Sequence, residues 1–167
     1  MRRHLAALLT LLVGLVGPAG CGALRRAPLD VPPGHRVVLG RVELSGFEAT
    51  EAIFQIVKED LTVSHDLRTG RWEDFIIILP PGRYRVVRLS AFKDTRQFPN
   101  DPVWDLRLAF EVGPEPAAYI GTLRLTAVFN QRPRAEVVDN YEETVRVLRT
   151  RHPDLPEPIA RRLLTGS

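Results

Sequence analysis

One thiol stands in this chain of 167 residues, Cys21, and a lone thiol can act as a nucleophile beside a histidine, a small buried hydrophobe, an intermolecular disulfide partner or a site of lipid attachment. An internal disulfide is excluded because there is no second cysteine. His35, His65 and His152 are far apart and keep no metal-ligand spacing. Ser45, Ser64 and Ser90 have no glycine two positions to either side, so none sits in a nucleophile elbow. The acid pairs Glu59-Asp60 and Glu73-Asp74 are neighbours in sequence, and a strand sends neighbours to opposite faces, which suits solvated ends better than general acid/base work. No glycine-rich loop is spaced to cradle a phosphate. The side chains therefore point to a chain that is not an enzyme and requires no cofactor or metal.

The context of Cys21 selects among its roles. Arg2, Arg3 and His4 form a basic head, residues 5–16 (LAALLTLLVGLV) are uncharged and mostly apolar, and Gly17, Pro18, Ala19 and Gly20 are small or turn-forming. That is the layout of a secretory signal. As a helix the apolar run reaches only about 18 Å, short of the roughly 30 Å of a bilayer's hydrocarbon, so it is no permanent span. Small residues directly before a cysteine resemble the bacterial lipoprotein signal, a resemblance which implies that Cys21 is acylated and heads the mature chain. Gly22 in the next position implies the outer membrane, on its periplasmic side, as the destination. Two or more acyl chains make a durable anchor, at about 0.8 kcal/mol per buried methylene. Ordinary signal-peptide cleavage after Ala23, which discards Cys21, is the alternative.

Taking residues 1–20 as signal leaves 147, enough for one domain with a core that needs no disulfide. Removing Arg2 and Arg3 takes the formal charge from +3 to +1, so nothing in the charge supports nucleic-acid binding. Residues 21–35 carry Pro28, Pro32 and Pro33 and read as a tether.

The domain that follows must position whatever binds. Over residues 36–138 the pattern is β: RVVLGRVEL, AIFQIVKE, LTVSH, WEDFIIIL, RYRVVRLSAF, DLRLAFEV, AYIGTLRLTAVF and AEVV. RTGR reads as a turn, and Pro80-Pro81-Gly82 forces either a hairpin or a strand pair at a sheet corner. Leu106, Leu108, Phe110 and Val112 share one face. Tyr119, Leu123 and Leu125 are expected to share a face too, with Gly121 marking a bulge or close backbone approach. Residues 139–167 turn helical: Asp139 and Glu142 fit a capping box ahead of Tyr141, Val145 and Leu148, and Asp154 with Glu157 fits a second. One or two short helices are expected to pack on an edge or end of the sheets. The fold class is thus mainly β, an antiparallel sandwich with a helical C-terminal segment.

The stretch TGRWEDFIIILPPGRYRVVRL resembles the core strand pair of transthyretin-like and carboxypeptidase-regulatory-like β-sandwiches, through Pro81-Gly82 and Tyr84; Gly40-Arg41-Val42 looks like the first strand of that prealbumin-like fold. Tyr119-Ile120-Gly121 is similar to a later strand of small bacterial lipoprotein domains. The resemblance implies a periplasmic accessory role and no catalytic residues; the signal, the single cysteine and the strand pattern together point to a module that binds an envelope protein. Arg146, Arg149, Arg151, Arg161 and Arg162 cluster near the end, where they suit anionic head groups or an acidic partner, or else form a solvated face with Glu142 paired to Arg146. The rival class is a periplasmic carrier or enzyme with a pocket under loop 93–103. Cys21→Ser is expected to abolish incorporation of labelled fatty acid and to block processing at that site. A mature N-terminus at Leu24 would overturn acylation.

Overall fold

The computed structural model describes residues 28–47, 49–92, 103–128 and 132–166. Two sheets share one apolar core, and the single α-helix among the described residues, α1 (Tyr141–Arg151), lies on the outside of one of them. The first sheet orders its strands β10 (Ile159–Arg161), β8 (Ala117–Thr126), β1 (Arg36–Ser45) and β4 (Trp72–Leu79), with β9 (Arg134–Val138) also paired to β8. The second orders β11 (Thr165–Gly166), β7 (Leu108–Val112), β5 (Gly82–Phe92), β2 (Glu51–Lys58) and β3 (Ser64–Gly70), with β6 (Val103–Trp104) on β5. Among the described residues every pairing is antiparallel except β1 with β8 and β10 with β8. Those two parallel pairings depart from the all-antiparallel expectation. They follow from β1, β8 and β10 being far apart in sequence, with long crossovers between them.

Alternation explains most of the core. Ala52, Phe54 and Ile56 of β2, Phe75, Ile77 and Leu79 of β4, and Leu106, Leu108, Phe110 and Val112 all turn inward and are buried. The strand β1 is buried on both faces: Val38, Val42 and Leu44 enter the inter-sheet core, and Val37 and Leu39 face α1. It is a central strand with layers on either side, which is why it reads as nearly continuous apolar sequence.

Several sequence expectations change. Leu61, Thr62 and Val63 form a turn rather than the start of a strand, because Asp60 Oδ1 accepts both the N–H (3.0 Å) and the hydroxyl (2.6 Å) of Thr62. The RTG segment is then strand, paired from Val57 opposite Ser64 to Glu51 opposite Gly70, and only Arg71 separates β3 from β4. Tyr119 does not share a face with Leu123 and Leu125. Leu39 lies opposite Tyr119 and Arg41 opposite Thr122, so β8 carries one extra residue at Gly121, whose φ is +103°. The bulge turns Tyr119 outward toward the helix and leaves Ile120, Leu123 and Leu125 inward.

The expected second helix after Asp154 is absent. A helix capped there needs the backbone N–H at position 158 for its first internal bond, and Pro158 has none. Residues 159–161 instead pair with β8, and Leu164 fills the core before β11 closes on β7. The surviving helix covers a sheet face, not an edge or end.

Pro80-Pro81-Gly82 makes a corner between the two sheets, not a hairpin: β4 pairs with β1 and β5 pairs with β2 and β7. Gly82 has φ +150°, a conformation that strains any side chain. Two residues on, Tyr84 is fully buried, stacks on Phe110 at 5.4 Å and donates its hydroxyl to the Pro80 carbonyl at 2.7 Å. Burial, with a smaller push from Asp60, raises its phenol from the ordinary 10.0 to about 12. Tyr84→Ala is expected to cost about 3 kcal/mol or more in denaturant unfolding, as for an aromatic removed from a core. The raised phenol adds stability below pH 10 that is lost as pH climbs toward 12, because the unfolded state releases that proton first. Tyr84→Phe, less stable at neutral pH, should therefore lose less over that interval.

Candidate functional site

The region built around α1 gathers the arginines singled out in the sequence. Its buried side, Thr144, Val145 and Leu148, packs on the outward faces of β1 and β8 with Val37, Leu39, Ala117 and Tyr119. At its start Asp139 Oδ1 accepts the N–H of Tyr141 at 3.1 Å, and Asn140 stands at the cap without a side-chain bond of that kind. The Asn140 N–H donates instead to the buried Tyr119 hydroxyl at 2.9 Å. Glu142 and Glu143 in the first turn and Arg149 and Arg151 in the last complement the helix dipole.

The arginines divide into two groups. Arg161, on β10, bonds Asp139 at 3.2 Å and Glu142 at 2.9 Å and lies 4.1 Å over the Tyr141 ring. Glu142 thus pairs with Arg161 and not with Arg146. Arg162 bonds Glu115 at 2.8 Å, and that carboxyl is held below its ordinary range by its own backbone N–H first and by Arg162 second. Arg149 pairs with Glu157. Arg146 and Arg151 are exposed and have no ion pair among the described residues. With Glu142, Glu143, Val145, Arg149 and Thr150, Arg146 lines an open groove of about 700 Å³.

A second feature meets this region at the other end of the helix. Leu29 and Val31, expected within the tether, pack against the cluster of Val145, Leu148 and Leu155. The Leu29 N–H donates to Asp154 Oδ2 at 2.6 Å. Asp154, expected to cap a helix, holds the incoming chain instead. The alternation of Leu29 and Val31 about Asp30 is the sequence signal for this docking. Cys21 lies outside the described residues; only seven residues stand between it and Leu29, a reach of at most ~28 Å over eight Cα steps. The chain therefore enters the domain beside the last turn of α1, where Arg149 and Arg151 stand.

Elsewhere the polar side chains serve structure. Asp74 bonds Arg41 at 2.7 Å, and Glu73 accepts the Gly70 N–H at 2.5 Å. Among the described residues no group of three or more His, Cys, Asp or Glu could hold a metal ion. A cavity inside the inter-sheet core, lined by Phe54, Phe75 and Ile120 among others, holds only about 20 Å³. A larger open hollow of about 410 Å³ lies on the outer side of β5, lined by Arg85, Val86, Val87, Asp105 and Arg107. Residues 93–102 of the proposed lid lie outside the described residues.

Asp154→Ala is expected to release residues 28–31, seen as faster amide exchange at Leu29 and earlier proteolysis N-terminal to His35. Unchanged exchange there would mean that packing of Leu29 and Val31 alone fixes the segment. No protein-family model, no curated protein and no solved structure matches this chain.

Proposed function

We propose that the chain is a lipid-anchored accessory module of the bacterial envelope, non-enzymatic, held through Cys21 at the periplasmic side of the outer membrane and binding an envelope protein. The observation that carries this reading is the run from Arg2 to Cys21: basic head, apolar stretch, small residues, lone cysteine. Its fold, in this reading, is a prealbumin-like β-sandwich of the transthyretin-like kind. Two sheets sharing one core, the inter-sheet corner at Gly82 and the buried Tyr84 support that assignment.

The short link between Cys21 and Leu29 gives the surface an orientation. An anchored domain keeps Leu29, which packs with Val145 and Leu148 of α1, within ~28 Å of the acylated Cys21. Arg146 and Arg151, exposed and unpaired among the described residues, are then the cations free to meet anionic head groups or acidic side chains of a partner. Arg149, Arg161 and Arg162 already have carboxylates and contribute less. In intact cells a photo-crosslinking side chain at Thr150 is expected to capture one defined envelope protein, with the yield reduced by Arg146→Glu. Capture of lipid alone would assign this face to the membrane, and the absence of any adduct would overturn its role in docking.

The hollow beside β5 favours a second reading, a carrier or enzyme for a small anion. Arg85 and Arg107 supply the cations, and Asp105 partly neutralises Arg107 at 3.1 Å. A rise in melting temperature with an anionic metabolite, lost in Arg85→Ala, would support it over the accessory role.

A further inference from the structure

The sheets end in edges of very different kinds. On one side β8 is covered by β10 and β9, and β7 by β11. The covering strands are short: β10 has three residues, β9 five and β11 two. On the opposite side β3 and β4 are both terminal strands among the described residues. The edge of β3 is guarded by exposed Ser64, Asp66 and Arg68. That of β4 is not. It is eight residues long, WEDFIIIL, with no proline, no lysine and no bulge in its register with β1. Helix α1, which could have shielded it, lies on the sheet face instead. No backbone hydrogen bond outside the sheet engages any of its residues among those described.

We infer that β4 is the pairing edge of a two-fold dimer, in which it lies antiparallel to the β4 of a second copy of this chain. Self-pairing about Ile76 satisfies the strand's own chemistry. In that register Phe75 faces Ile77 of the other copy, Asp74 faces Ile78 and Glu73 faces Leu79, so no like charges meet. Asp74 is in addition neutralised within its own chain by Arg41 at 2.7 Å. Residues facing each other about one central residue have the same parity, so the N–H and C=O groups that β4 turns away from β1 meet their equivalents in the partner. The inward face of each sheet stays inward and both helices stay on the same outer surface, as an isologous contact requires.

The test is sedimentation of the full-length chain in density-matched detergent, with amide exchange across β4. The expected result is twice the monomer mass, with protection at nearly every amide of β4 and loss of half of it on dilution. Ile78→Glu, a half-buried position on the outer face that lies opposite Asp74 of the other copy, brings like charges together at two symmetric points and should return the chain to monomer mass while leaving the melting temperature close to that of the parent. A monomer at all concentrations overturns the inference, whether its outward β4 amides exchange freely or are protected by another part of the same chain. A dimer unaffected in a folded Ile78→Glu chain also overturns it, since the contact then lies elsewhere.

Discussion

Two-sided burial of β1 is the constraint from which the rest of the architecture follows. A strand with Val38, Val42 and Leu44 on one face and Val37 and Leu39 on the other cannot form the outer wall of a two-layer protein. Each such side chain is worth about 1.5–3 kcal/mol when buried, against a net stability of about 5–15 kcal/mol for a whole domain. A third layer is therefore required, and α1 together with residues 28–31 supplies it. The segment that joins the domain to whatever precedes it is part of that layer, so attachment and stability are linked through Leu29 and Val31.

The second controlling feature is the bulge at Gly121. A strand of ten residues in strict alternation would send Tyr119 to the same side as Leu123 and Leu125. One extra residue lets β8 put Ile120, Leu123 and Leu125 into the core while Tyr119 reaches outward to receive the N–H of Asn140. The start of α1 is thereby set by a strand twenty residues earlier, through a single hydroxyl. Gly40 belongs to the same arrangement: a Cβ there would stand 2.8 Å from the Gly121 carbonyl and 2.7 Å from the Phe75 ring. Both glycines are needed where the two strands pass most closely.

Much of this was legible in the sequence, and the failures have physical causes. Alternation located β1, β2, β4, β5, β7 and β8, and the spacing of Tyr141, Val145 and Leu148 located α1, since these signals are local. Partner choice is not local. Nothing within RVVLGRVEL specifies a parallel neighbour eighty residues on, and Gly121 advertises a bulge without saying which residues it flips. The second helix does not form because capping residues at Asp154 and Glu157 are a local signal that Pro158, lacking an N–H, cancels, while the open edge of β8 offers the segment another set of hydrogen bonds. At the candidate site the arginines were visible by type. Their carboxylates were not, because Arg161 meets Glu142 and Arg162 meets Glu115 only once the chain has returned to the sheet.

That return has a kinetic meaning. Within eight residues the terminal segment adds β10 to the first sheet and β11 to the second, with Leu164 lodged between them. Both pairings close loops of about forty residues or more, and β1 with β8 closes one of about eighty, so the chain must give up much entropy before these contacts repay it. Folding of this kind is slow, and until the last stretch is in place each sheet still has an unsaturated side. The same few residues then act as a clasp, so that fraying from this end loosens both sheets together instead of peeling one strand from one of them.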